Sequence, residues 1–284
     1  MNVASTFSKL RLCGLILGAA ALLFGALARA GDPHDVARFM AGKSCPRCDL
    51  RYEIADGMVA EGIELRGSYM FSINLHRARF LGAQLQSSNL EGANLERADL
   101  SRTNLTRAVL TSASLAGATL IGALMPQVIA LEAIFDAADL SNADLTTAEL
   151  RGSSFIFSFA EDTNFMSADL RGTNFNKARL SGAHFVNADL TGANFSAARL
   201  LAADMRRARM ANINLSGSNL SYSNLANVVL TGANLKGADL TGVNLSNADL
   251  KNADLTGAEM GSVLLEGANT CGAKLPAGMT ATKC

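Results

Sequence analysis

Residues 93–97 read Ala93-Asn94-Leu95-Glu96-Arg97, and residues 238–242 read Ala238-Asp239-Leu240-Thr241-Gly242. The same phrase fills the chain between them: a small residue, often Asn or Asp, a large apolar residue, then two residues suited to a turn. At the 43 positions that fall every fifth residue from Leu65 to Leu275 there are 28 Leu, 7 Phe and 5 Met, with Ala130, Ala160 and Thr270 departing. Two residues before each stands a second restricted position, with 27 Ala, 6 Ser, 3 Thr and seven Val or Ile. Self-similarity at a fixed period outranks local propensity in deciding a fold. On an α-helix, five residues advance about 500°, so the apolar residue would wander around the surface. On a continuous strand an odd repeat would flip alternate large residues to opposite faces. A short extended piece with a corner every five residues satisfies the pattern. The large residue and the small one two before it then both point inward, and Asn, Asp, Ser, Thr and Gly suit the bends.

These Ala-(Asn/Asp)-Leu-X-X units resemble the pentapeptide-repeat family over residues 65–275. The resemblance implies an all-β fold, a right-handed quadrilateral parallel β-helix with four units, or 20 residues, per coil. The chain carries its own hint of that number. Phe135, Phe155, Phe175 and Phe195 are 20 apart, as are Phe165 and Phe185, and would stack as two ladders. Asn174, Asn194, Asn214 and Asn234 would form an outward hydrogen-bonding ladder. Forty-three units make nearly 11 coils, a rod of roughly 50 Å at sheet spacing.

The ends of a solenoid need caps. Asp32-Pro33 starts a short capping helix with Val36, Phe39 and Met40 on its apolar face, and Gly42 stops it. Lys43-Ser44-Cys45-Pro46-Arg47-Cys48-Asp49-Leu50 leads into the repeat and is similar to the Cys-X-X-Cys-Asp-Leu opening of exported family members. Between Leu50 and Leu65 the pattern degrades, and an irregular coil or loop is expected. Residues 31–64 thus form the N-terminal cap, 65–275 the β-helix and 276–284 a C-terminal tail, with Pro276 ending the strand pattern.

Residues 1–30 precede all of this. Lys9 and Arg11, an apolar run from Leu12 to Leu27, and Ala28-Arg29-Ala30 have the build of a secretory signal cleaved after Ala30. An uncleaved inner-membrane anchor is the alternative, since the run is near the lower limit for spanning hydrocarbon. The full chain carries 25 basic and 25 acidic residues. Losing Lys9, Arg11 and Arg29 leaves 22 against 25, a net charge near −3. Such a balance excludes an obvious nucleic-acid binder, and 25 Gly with only 4 Pro exclude a collagen. The four remaining cysteines, Cys45, Cys48, Cys271 and Cys284, sit in two pairs at the two ends and read as two staples in an oxidising compartment, although four cysteines allow three connectivities.

No catalytic constellation stands out. His76 and His184 lack a nucleophile in a recognisable setting, and there is no phosphate loop or HExxH. No cofactor or metal is expected; His34 is the one extra ligand near the Cys45/Cys48 pair. Two surface features rise above background. Leu124, Ile129 and Ile134 occupy normally polar outward positions near Pro126 and Ala130, forming either a partner surface or a local bulge. Arg151 with Arg171, and Arg179 with Arg199, are each 20 apart and would stack as an anion-facing column unless acids flank them. The function expected is that of a non-enzymatic, exported, periplasmic rod acting as a scaffold or protein-interaction module, as a monomer or homodimer, with no membrane insertion after signal cleavage. The resemblance also implies a DNA-mimic alternative binding DNA gyrase, which calls for a cytoplasmic, strongly acidic protein. A thiol redox protein using Cys45 and Cys48 is a third reading.

Overall fold

The computed structural model describes residues 30–281; the expected signal segment up to Arg29 and the tail cysteine Cys284 lie outside them. Among the described residues one helix, α1 (Pro33–Met40), is followed by an uninterrupted solenoid. Parallel β-bridges join residues 20 apart in sequence, from Asp49↔Tyr69 to Asp254↔Lys274, and four turns separate the four sides of each coil. The units run from residue 46 to 275, which is eleven and a half coils of 20 residues. The sides are named below after residues of one coil: Asp189, Asn194, Arg199 and Asp204.

The backbone explains the five-residue phrase. In nearly every corner an N–H returns to the carbonyl three residues earlier, as from Ala93 to Leu90 (3.0 Å). The second residue after each large apolar one has positive φ at every unit from Arg47 to Gly272, as in turns that require φ > 0 at their third residue. The first corner residue has no ladder partner for its N–H. The Asn or Asp two residues earlier supplies one: Asn89 Oδ1 accepts from Glu91 N–H (3.0 Å) and Asp139 Oδ1 from Ser141 N–H (3.0 Å). This local side-chain bond is why Asn and Asp recur before the apolar residue.

The core is the double stripe expected. Phe135, Phe155, Phe175 and Phe195 stack at centroid distances of 4.7, 4.5 and 4.6 Å, and Phe165 stacks on Phe185 at 5.0 Å. The two ladders meet edge-on across the core, with Phe175 5.8 Å from Phe165 and 6.3 Å from Phe185. Ala130 and Ala160, which stand at the large position, are fully buried like the residues they replace. Buried Ser and Thr at the small position mostly bond main-chain carbonyls, as Thr173 Oγ1 does to Leu170 O (2.7 Å). Ser158 is buried and its Oγ has no partner among the described residues. Ser158→Ala is therefore expected to raise unfolding stability by about 1 kcal/mol, read as a higher urea midpoint at unchanged m-value.

Three expectations need correction. Residues 50–65 are not irregular: Ile54↔Asn74, Val59↔Arg79 and Glu64↔Gln84 keep register. The ladder is made by the backbone, so degraded side chains do not break it. Their small inward residues, Ala55 and Ala60, instead leave room for the cap. Phe39 of α1 is fully buried and meets Phe80, one coil above Ala60, edge-on at 6.3 Å. No bulge occurs at 121–135, where the bridges stay 20 apart and Pro126 occupies the first corner position, whose φ it suits. Met40 is exposed and not part of the buried helix face.

The cap also satisfies the lower edge. Asp32 caps α1 by accepting from His34 and Asp35 N–H (2.9 and 3.1 Å), while its own N–H donates to Asp49 O (2.9 Å). Asp35 Oδ2 accepts from Asp49 N–H (3.1 Å), and Ser44 Oγ from Glu64 N–H (3.1 Å). Gly31 packs so closely that a Cβ there would lie 2.4 Å from Asp49 O. At the other end Met260, Val263, Leu265 and Leu275 are only partly buried.

Candidate interaction surfaces

Each five-residue step turns the chain through one corner. Leu124, Ile129 and Ile134 consequently fall on the Asp204, Asp189 and Asn194 sides in turn. Leu124 and Ile134 are exposed and Ile129 is half-buried. They wind around the rod and do not make one flat surface. Ile134 alone joins a larger patch, at the corner between the Asn194 and Arg199 sides, with half-buried Ile156 and exposed Phe157 and Phe159. Lys177 Nζ and Arg179 Cζ stand 5.2 and 5.1 Å above the two rings, as cations favour.

The arginine columns are flanked by acids. Arg171 grips Asp169 with two bonds (2.8 and 2.6 Å), and Arg151 Nε reaches the same carboxylate at 3.5 Å. The side-chain hydrogen bond from Arg171 pulls Asp169 below the usual carboxylate pKa. Arg179 pairs with Glu161 at 2.8 Å. Arg199 lies one coil above Arg179. Arg151 and Arg171 thus share one acid, which offsets the like-charge cost of that column, whereas the Arg179/Arg199 column has a single acid, Glu161, at Arg179.

The strongest patch lies beside the cap and was not singled out from the sequence. Tyr52 and Phe71, one coil apart at the corner between the Asp189 and Asn194 sides, meet edge-on at 5.4 Å. Ile54 is 70% exposed on the Asn194 side and Tyr69 57% exposed on the Asp189 side. Tyr69 bridges to Asp49 and, with Arg47, Asp49 and Arg51, lines a shallow cleft. Arg51 holds Asp49 through two bonds (2.8 and 2.7 Å), which orients the guanidinium and lowers the Asp49 pKa. The signal was present in the sequence: large apolar or aromatic residues stand at outward and corner positions that elsewhere hold Asn, Asp or Gly. Tyrosine and arginine around an apolar centre is the composition of binding hot spots.

The Cys45 and Cys48 Sγ atoms are in contact under α1, with Cα atoms 5.5 Å apart, as a disulfide requires. The expected partner of Cys271, Cys284, lies outside the described residues. Asp35, not His34, brings a third ligand-type atom to Cys45 and Cys48, all three within 4.8 Å of one another. Among the described residues no helix is long and apolar enough to cross a membrane.

No curated protein matches this chain. Among solved structures it is similar to HetL, a pentapeptide repeat protein involved in heterocyst differentiation regulation from the cyanobacterium Nostoc sp. strain PCC 7120, at 27% identity and a TM-score of 0.60 over 86% of this chain and 96% of that one. It is also similar to a trypsin-treated form of QnrB1, a plasmid-mediated fluoroquinolone resistance protein, at 19% identity and a TM-score of 0.30 over 78% of this chain and 88% of that one. A pentapeptide repeat protein of the Arabidopsis thaliana thylakoid lumen shares 30% identity over 37% of this chain and 63% of its own, with a TM-score of 0.15. The family described as pentapeptide repeats matches in eight copies at residues 88–127, 133–172, 173–212, 208–247 and 233–269. With more than half its length covered and four turns to every 20-residue coil, the chain belongs to the pentapeptide repeat family.

Proposed function

We propose that this protein is a non-enzymatic docking rod, right-handed in its winding, exported to the periplasm with cleavage after Ala30, and held at its ends by Cys45–Cys48 and Cys271–Cys284 disulfides. The observation that carries the reading is the apolar surface made by exposed Tyr52, Ile54 and Tyr69 and half-buried Phe71 beside Arg47 and Arg51, on a backbone whose every coil is fixed by its neighbours. A rigid platform loses little conformational freedom on binding, so exposed aromatic area converts efficiently into affinity. HetL's part in regulating differentiation suits a protein that acts by binding another. A DNA mimic would present an acidic surface. Here Asp49, Asp169 and Asp204 are each paired with an arginine, and Arg179 and Arg199 follow one another on one side.

The double variant Ile54→Asp, Tyr69→Asp is expected to lose its native-compartment partner, with affinity falling at least tenfold, about 1.4 kcal/mol, while the circular dichroism stays unchanged because both side chains are exposed. Capture equal to wild type would refute the docking corner. Recovery of an uncleaved product from the cytoplasm would refute the export reading.

A further inference from the structure

We propose that Cys45, Cys48 and Asp35 form a zinc site that exists only when the two cysteines are reduced, so that the cap is a redox-gated metal centre. Three observations carry this. The donor atoms of these residues already lie within 4.8 Å of one another, the cysteines buried and the carboxylate half-buried. The loop that carries the sulfurs is held independently of the bond between them. Cys48 N–H donates to Cys45 O (3.3 Å), Ser68 Oγ donates to Cys45 O (3.1 Å) and accepts from Cys48 N–H (3.2 Å), and Cys45 and Arg47 N–H donate to the next coil at Glu64 O and Arg66 O (2.8 Å each). The carboxylate is aimed by its own bonds: Asp35 is in the first turn of α1, and its Oδ2 accepts from Asp49 N–H.

The chemistry balances. A dithiol donor passes two electrons and two protons to the Cys45–Cys48 disulfide, giving two thiols and the donor's own disulfide. Zn²⁺ then replaces both thiol protons, which leave to solvent. Two thiolates and one carboxylate at a Cys-X-X-Cys spacing suit zinc with a fourth position left to water. They are too soft for Mg²⁺ or Ca²⁺, and the carboxylate disfavours Cu(I) against an all-sulfur site.

The test uses the mature chain reduced with a phosphine and titrated with Co²⁺, followed by Zn²⁺. One equivalent of Co²⁺ is expected to give a thiolate-to-cobalt charge-transfer band and tetrahedral visible bands that Zn²⁺ abolishes. Zn²⁺ should also protect Cys45 and Cys48 from alkylation, mapped by mass. Asp35→Asn should weaken binding about tenfold or more. The pair Cys45→Ser, Cys48→Ser should lose the charge-transfer band, and Cys271→Ser, Cys284→Ser should keep it. The oxidised protein should take up no cobalt. Absence of a one-equivalent band in the reduced wild type, its persistence without Cys45 and Cys48, unweakened binding by Asp35→Asn, or binding only with loss of cap amide protection would each overturn the proposal.

Discussion

Phe175→Ala is expected to cost about 3–5 kcal/mol of unfolding free energy. Phe175 is the hub of both aromatic ladders: it stacks on Phe155 and Phe195 at 4.5 and 4.6 Å and meets Phe165 and Phe185 edge-on. The coils above and below are locked in register by backbone bonds, so the ladders cannot close over the void, and the cavity term adds to the lost transfer energy. Because a solenoid couples mainly to its nearest neighbours, the damage should be local. Amide exchange should quicken in the coils carrying residues 155–195 and change little near Leu240. The check is urea unfolding with exchange mapped by mass spectrometry, with the exposed Tyr222→Ala as control. A Phe175→Ala midpoint indistinguishable from that control would mean that the ladders do not carry the core.

Phe39→Ala should cost about 3–5 kcal/mol as well, with a different signature. Phe39 is the one fully buried side chain of α1 and takes the space that Ala60 leaves beneath Phe80. Without it α1, only eight residues long, is too short to persist in water, and Asp35 no longer satisfies Asp49 N–H. Exchange should quicken from α1 through the first coil while the aromatic ladders stay protected. The expected result is a low-urea transition confined to the N-terminal end. A single transition shifted by less than about 0.5 kcal/mol would show that the cap is dispensable.

The inward stripes were legible because they are a packing pattern. Leu, Phe or Met every fifth residue admits one geometry, and phenylalanines 20 apart announce the coil length. The Asn ladder was equally plain, and its amides do bond from coil to coil at 3.0 Å, Asn194 to Asn174, Asn214 to Asn194 and Asn234 to Asn214. Regularity where the side chains degrade was not legible, since at Ile54 and Val59 the backbone ladder alone sets the register. The apolar corner beside the cap was hidden for a topological reason. Neighbours in sequence such as Leu124, Ile129 and Ile134 are sent to different sides by the corners between them. Residues about 20 apart, such as Tyr52 and Phe71, are brought face to face. A search for apolar clusters along the chain therefore gathers residues that lie on different sides, and one taken along columns of 20 gathers residues that lie together. Asp35 was missed because helix and loop converge only after the cap folds.

The most direct measurement is photo-crosslinking in the native host, with a benzophenone amino acid in place of Tyr69 at the cap-side corner or of Asn194, far from the cap within the asparagine ladder. The docking-rod account predicts one discrete adduct from position 69 and none from position 194. No adduct at 69, or the same adduct at both positions, would contradict it.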